Sequence, residues 1–152
     1  MVLTQKETDL LKDLKSQEQL CIEKYRKYEQ DACDGCLKQL FSGIRATEEK
    51  HLSTVCDMLS GKEVTVGTAP SATSQTYCGE PSSCDAQAKQ NDGYLCRDAL
   101  AMEKHVSSLY DISIFEFSSP SLRDALNHIQ KEEQNHGQQL YEYLSKNGLY
   151  SG

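Results

Sequence analysis

The sequence predicts an all-α protein, a four-helix bundle made of two antiparallel helical hairpins that a long crossover joins. Four segments repeat apolar residues at the three- and four-residue spacing of an amphipathic helix. A stretch rich in Ser, Thr, Gly and Pro separates the second segment from the third. The two halves also share one register, because an offset of 85 positions carries Glu18 onto Glu103 and Leu37 onto Leu122. This repeat indicates a duplicated hairpin.

The first hairpin is predicted from its caps and its apolar stripes. Thr4 and Glu7 have the spacing of a capping box that opens the first helix. Asp34 is the expected N-cap of the second helix, and Gly61 is the expected stop signal after it. The positions expected to face the core are Leu10, Leu11, Leu14, Cys21 and Tyr25 in the first helix, and Leu37, Leu40, Phe41, Ile44, Val55 and Leu59 in the second.

The second hairpin follows from the same signals. We expect the third helix to run from about Asp85 to Phe117. Ser119 and Pro120 predict a new start, with Ser as N-cap and Pro at the first helical position, and the fourth helix should stop near Gly148. The expected core positions are Leu95, Ala99, Val106, Tyr110, Ile114, Leu122, Leu126, Ile129, Leu140 and Leu144.

The 152 residues suit one domain, divided into a hairpin 4–60, a crossover 61–85 and a hairpin 86–147. The crossover, in which we expect a short extended piece within 64–71, can stretch roughly 80 Å. A helix of roughly 27 residues is only about 40 Å long. The third helix should therefore start beside the turn between helices one and two, which is the topology of ferritin-like folds.

Composition excludes several classes of function. A net charge of −7 argues against nucleic-acid binding, which needs a basic surface. The sequence has no apolar run long enough to span a membrane. The first residues have no signal-peptide pattern, so we expect synthesis in the cytoplasm.

Six residues on the inner stripes form a candidate metal site. Each half supplies one lone glutamate and, thirty positions later, a Glu-x-x-His pair. Positions i and i+3 share a helix face, so each pair can direct an oxygen and a nitrogen at one metal. Two lone glutamates with two such pairs are the ligand set of di-iron and di-manganese carboxylate bundles. The six residues are Glu18, Glu48, His51, Glu103, Glu133 and His136.

Charge balance explains why these core positions need cations. Four carboxylates facing one core repel each other, whereas two divalent ions neutralise them. We expect Glu18 with His51 on one metal, Glu103 with His136 on the other, and Glu48 and Glu133 as bridges. Iron or manganese suits this donor set, and zinc also accepts it. The alternative is an ordinary bundle in which the Glu-x-x-His pairs are surface charges.

Tyr25 and Tyr110 follow the lone glutamates by seven residues, two turns along the same face. One hypothesis makes them catalytic-site residues whose hydroxyls hydrogen-bond the ligand carboxylates. The other makes them amphipathic core residues. The remaining polar residues near the stripe are expected at the solvated surface: Glu23, Glu29, Glu49, His105, Glu132 and His128.

The chain has seven cysteines, an odd number that excludes full intramolecular pairing. The topology brings four of them to one end of the bundle, namely Cys33, Cys36, Cys78 and Cys84. Free thiols are the expectation there, and the alternatives that remain open are two disulfides and a structural zinc, the less favoured cofactor. The other three are expected to pack in helices: Cys21, Cys56 and Cys96.

Three segments carry a resemblance to a known family. They are Tyr94–Leu100 with Glu103–Tyr110, Ser113–Ser118 followed by Leu122–Glu133, and the ending Asn147–Tyr150. Together they resemble the spore coat protein F family (coat F domain), strongly over roughly 85–150 and more weakly over 1–60. The resemblance implies a ferritin-like fold and assembly into the spore coat with other coat proteins. A homodimer is left open.

The ligand pattern separately resembles rubrerythrins, non-haem di-iron proteins that reduce peroxide. The chain lacks their paired Cys-x-x-Cys electron-transfer module, so a peroxidase or oxidase of this kind would need a separate reductant. Three functions therefore remain: a structural coat protein with or without metal, a di-metal redox enzyme, and metal storage. Storage is the weakest, because nothing in the sequence predicts a cage.

Overall fold

The computed structural model describes residues 2–64 and 78–150. Within these ranges every regular element is an α-helix, so the predicted all-α class is confirmed. The helices are α1 (Gln5–Asp31), α2 (Gly35–Leu59), α3 (Ala86–Glu116) and α4 (Pro120–Lys146). Apart from Val64, the extended piece expected within 64–71 lies outside the described residues. No helix in the described part of the chain has an apolar stretch long enough to cross a membrane.

Local sequence signals set the helix ends. Thr4 and Glu7 form the predicted capping box, in which each side chain accepts from the other residue's backbone N–H. Asp34 caps α2 by accepting from the N–H of Cys36 at 3.0 Å. Ser119 occupies the N-cap of α4, but its side chain makes no capping hydrogen bond; the fixed φ of Pro120 starts this helix.

The order of contacts along the helices fixes their directions. The helices of each hairpin pack against each other, and α1 also packs on α3 and α2 on α4. Between α1 and α3, Glu7 meets Ser118 while Tyr28 meets Asp98, so the partner number falls as the α1 number rises. These two helices are therefore antiparallel. Together the four packed pairs form a four-helix bundle around one central axis.

The start of α3 is fastened to the turn between α1 and α2, as expected. The buried Asp92 carboxylate accepts from the backbone N–H groups of Cys33 and Asp34, at 2.8 and 3.0 Å. Val64 follows the C-terminal end of α2, whereas Cys78 is bonded to Cys36 at its N-terminal end. Val64 and Cys78 therefore lie toward opposite ends of α2, a helix about 37 Å long for its 25 residues.

Two disulfides close this end of the bundle, Cys33–Cys84 and Cys36–Cys78. The alternative structural zinc at these four cysteines is therefore wrong, because a disulfide sulfur carries no thiolate charge for the metal. The expectation of free thiols is wrong for the same four. The cysteines that stay free include Cys21 and Cys96, which are buried in helices as predicted, and Cys56, which is only half-buried.

The core follows the predicted stripes with small shifts. Leu10 and Leu95, which share one repeat position, are half-buried, while the next residues, Leu11 and Cys96, are fully buried. Ile114 and Leu59, close to the ends of their helices, are also only partly buried. The stripe of α4 is buried throughout: Leu122, Leu126, Ile129, Glu133, His136, Leu140 and Leu144.

Candidate metal centre

All six predicted ligand residues lie in the interior, at the middle of the bundle. Each helix contributes: α1 and α3 supply one glutamate each, and α2 and α4 supply one Glu-x-x-His pair each. None of the six is more than 5% exposed. They are Glu18, Glu48, His51, Glu103, Glu133 and His136. The alternative that the Glu-x-x-His pairs are surface charges is therefore wrong.

The donor atoms converge in two overlapping groups. One group comprises Glu18, Glu48, His51 and Glu133, and the other comprises Glu48, Glu103, Glu133 and His136. Within each group one donor atom per residue lies within 4.8 Å of all the others. The two groups share Glu48 and Glu133, the positions that the sequence predicts as bridges.

Both imidazoles direct Nδ1 into the cluster. Nδ1 of His51 lies 2.9 Å from Oε1 of Glu133 and 3.4 Å from Oε2 of Glu48. Nδ1 of His136 lies 3.0 Å from Oε1 of Glu48 and 3.4 Å from Oε1 of Glu103. The ring centroids are 6.0 Å apart. Each histidine Nδ1 thus lies closer to a glutamate of the opposite half than to one of its own half.

The cluster leaves many buried polar atoms unpaired. Both Nδ1 atoms, both oxygens of Glu48 and of Glu133, and Oε2 of Glu18 and Glu103 lack a hydrogen-bond partner of suitable geometry among the described residues. Buried polar groups normally have partners, because an unpaired one costs free energy. Six carboxylate oxygens and two imidazole nitrogens facing one another fit two divalent cations, which would neutralise four carboxylates.

The pKa values of the carboxyl groups also reflect their burial and their closeness to one another. Burial, followed by the charge of Glu48, raises the pKa of Glu18 well above its usual range. Burial, followed by the charges of Glu103 and Glu48, does the same to the pKa of Glu133. Burial opposes the ionisation of Glu48 as well, but short polar contacts with Glu18 and the two histidines hold its pKa well below the usual range. Burial and mutual repulsion thus oppose the simultaneous ionisation of all these carboxyl groups.

Burial alone would lower the pKa of both histidines, but the carboxylates outweigh it. Short contacts with Glu132 and Glu48 raise the pKa of His51 to about 10. The charge of Glu103, followed by its polar contact, raises the pKa of His136 to about 9. Without a metal, both imidazoles are therefore held as cations at neutral pH.

The two tyrosines bond to ligand carboxylates across the bundle. The hydroxyl of Tyr110 donates to Oε1 of Glu18 at 2.6 Å, and the hydroxyl of Tyr25 donates to Oε1 of Glu103. Each tyrosine thus serves the lone glutamate of the other hairpin. Both rings are fully buried, so these residues also belong to the core, as the alternative hypothesis expected.

Glu132, which was expected at the solvated surface, is part of the site. Its side chain is only 16% exposed, and its Oε1 lies 3.1 Å from Nε2 of His51 and 3.0 Å from Nε2 of His128. The position is hard to recognise because its repeat equivalent is Thr47. The spacing of His128 and Glu132, one helical turn apart, was the available signal.

The other expected surface residues lie outside the cluster. Glu23 and His105 are exposed, and exposed Glu49 and half-buried Glu29 both form ion pairs with Arg45, at 3.3 and 3.1 Å. The surface prediction is therefore confirmed for Glu23, Glu49 and His105.

Comparison with known proteins gives a family match for part of the chain. No curated protein and no solved structure matches it. The resemblances to the ferritin-like superfamily and to rubrerythrins stay predictions. Residues 91–151, which run from α3 to the end of α4 and beyond, match the family model of the Coat F domain, as the resemblance in this half of the chain predicted.

Proposed function

We propose that this protein is a spore-coat component whose four-helix bundle holds two divalent transition metals, iron or manganese. The observation that carries the proposal is the pair of four-residue donor groups that share Glu48 and Glu133. The Coat F match over residues 91–151 supports the location, and other coat proteins would be its partners.

In this proposal Glu18 and His51 would hold one metal, Glu103 and His136 would hold the other, and Glu48 and Glu133, which belong to both donor groups, would serve both. Tyr25 and Tyr110 position the two lone glutamates through their hydroxyl hydrogen bonds. When bound, such metals supply Lewis-acid or redox chemistry. The chain's own residues hold the donor atoms, exclude bulk water and neutralise charge.

A redox enzyme is the second candidate, and a cleft beside the ligands favours it over a purely structural role. The cleft, of about 270 Å³, has Glu103 and Glu133 among its lining residues. A small molecule could therefore approach the centre. An activity assay with peroxide and a supplied reductant tests this candidate, and no turnover by metal-loaded protein with any reductant supplied would exclude it.

Elemental analysis tests the metal centre. Protein purified without chelator should contain close to two transition-metal ions per chain, by the ligand count of such bundles. The double variant Glu48→Gln, Glu133→Gln should lose them, because it removes both shared carboxylates. Glu49→Gln is the matched control, since Glu49 is the exposed neighbour of Glu48 and lies outside the cluster. Wild-type protein without metal after growth with iron and manganese would contradict the proposal.

A further inference from the structure

The two donor groups differ in their surroundings, although the repeat makes their ligands equivalent. On the His51 side, Glu132 lies between Nε2 of His51 and Nε2 of His128 and covers the imidazole. On the His136 side, the repeat equivalent of Glu132 is Thr47, whose hydroxyl instead donates to the carbonyl of Gly43 at 3.4 Å. The imidazole on the His51 side thus has a carboxylate partner at Nε2, whereas the equivalent residue on the His136 side makes no hydrogen bond to the imidazole. We call these the braced and the unbraced side.

The unbraced side is also the side that a cleft approaches. The cleft lies between α3 and α4 and contains about 270 Å³. That volume has room for several water-sized molecules. Glu103 and Glu133 line it, and Glu103 belongs only to the donor group of His136. The cleft therefore borders one ligand that only the second metal position has, Glu103, and one that both positions share, Glu133.

A glycine keeps this cleft open. Gly137 lines it, and a Cβ built there would lie 3.6 Å from Cδ1 of Leu100 on the facing helix. A longer side chain at this position would therefore extend toward α3 and occupy the cleft. The equivalent residue of the first hairpin is Leu52, which is half-buried, and the equivalent of the cleft's Ser107 is the buried Ile22.

We propose that the Gly137 cleft is the route by which small ligands that coordinate metals through oxygen or nitrogen reach the His136-side metal position. The inference rests on the proposed metal centre and adds the path by which ligands reach it. Ligands would enter between α3 and α4 and reach the metal that Glu103 and His136 would hold.

Azide binding to the cobalt(II)-loaded protein tests the route without relying on turnover. Wild-type protein should show an azide-dependent change in visible absorption. Gly137→Leu should slow azide association about tenfold or more, because its side chain fills the entrance. Gly137→Ala is the control for helix propensity, since its Cβ would make only an ordinary contact with Leu100. It should associate with azide at close to the wild-type rate.

A second variant guards against a folding defect in the first. Leu100→Phe fills the same cleft from α3 and should slow azide in the same way, at unchanged cobalt content. Unchanged association in the folded variants, or no azide binding by cobalt-loaded wild type, would overturn the route and leave the metal centre standing. A wild-type protein that takes up no cobalt would instead overturn the proposed function, and the route with it.

Discussion

The hydroxyl of Tyr110 donates a 2.6 Å hydrogen bond to Oε1 of Glu18, 92 positions away in the chain. The reciprocal bond joins Tyr25 to Glu103. The tyrosine of each hairpin thus donates a hydrogen bond to the lone glutamate of the other hairpin. Neither hairpin alone contains both partners of such a bond. The site is a property of the assembled bundle.

Tyr110→Phe should weaken metal binding. The ring would still fill its buried position, but Glu18 would lose the donor that orients it. Loss of such an outer partner typically lowers metal affinity about 10- to 100-fold. Competition with a chromophoric chelator measures the affinity, and Tyr94→Phe, at an exposed position, is the control. Equal affinities for wild type and Tyr110→Phe would show that the hydrogen bond does not position the ligand.

Metal-free protein should lose stability as pH rises from 5 to 8. The folded pKa values of Glu18 and Glu133 are raised, so the folded state keeps protons that the unfolded carboxyls release near pH ~4.3. The histidines act in the same direction. Their folded pKa values of about 10 and 9 give stability that is complete below the unfolded value near ~6.5 and declines above it.

Thermal unfolding after chelator treatment measures this trend, and the melting temperature should fall steadily over the range. The groups that face one another here come from all four helices: Glu18, Cys21, Tyr25, Glu48, His51, Glu103, Tyr110, Glu132, Glu133 and His136. With saturating manganese the trend should reverse, because protons compete with the metal for its ligands. A flat or rising melting temperature in the metal-free series would be incompatible with this explanation.

Glu132→Gln should affect one metal position more than the other. The carboxylate at 3.1 Å from Nε2 fixes the orientation of His51 and favours the tautomer whose Nδ1 is free to bind metal. The Glu132→Gln variant should therefore bind metal more weakly in one of the two binding steps and with unchanged affinity in the other. Isothermal titration with manganese separates the steps. Lys131→Gln is the control because its side chain is exposed. Equal weakening of both steps would argue against a local role.

Removing the disulfides should destabilise the fold. Because Cys36–Cys78 lies inside the Cys33–Cys84 loop and stays closed, breaking Cys33–Cys84 opens a ring of only about ten residues, which contributes about 3 kcal/mol in the chain-entropy treatment. Cys33→Ser combined with Cys84→Ser should therefore lower the denaturant midpoint markedly, and Cys56→Ser, at a free cysteine, should not. Identical midpoints for oxidised and reduced wild-type protein would show that these bonds do not support the bundle.

The sequence predicted the helices and the six clustered residues because both follow from local spacing. A helix places residues three apart on one face, and the repeat tested each position twice, as in Glu48 with His51 and Glu133 with His136. The caps at Thr4 and Asp34 were predictable for the same reason. The helices, the caps and each Glu-x-x-His pair depend on neighbours within one or two helical turns, whereas the two lone glutamates were identified through the repeat.

The features that the sequence did not predict depend on contacts between distant segments. The exchange of Tyr25 and Tyr110 requires α1 to lie antiparallel to α3. Glu132 reaches His51 only because α4 packs on α2. The repeat gave no sign of this contact, because the equivalent of Glu132 in the first half is Thr47. The disulfide pairing depends on where the crossover returns, which no local pattern encodes.

The two-metal centre can be observed by anomalous X-ray diffraction at the iron and manganese absorption edges, from crystals of protein purified without chelator. We expect two peaks, one among Glu18, Glu48, His51 and Glu133 and the other among Glu48, Glu103, Glu133 and His136. A folded protein, supplied with both metals, that shows no anomalous peak among these six residues would contradict it.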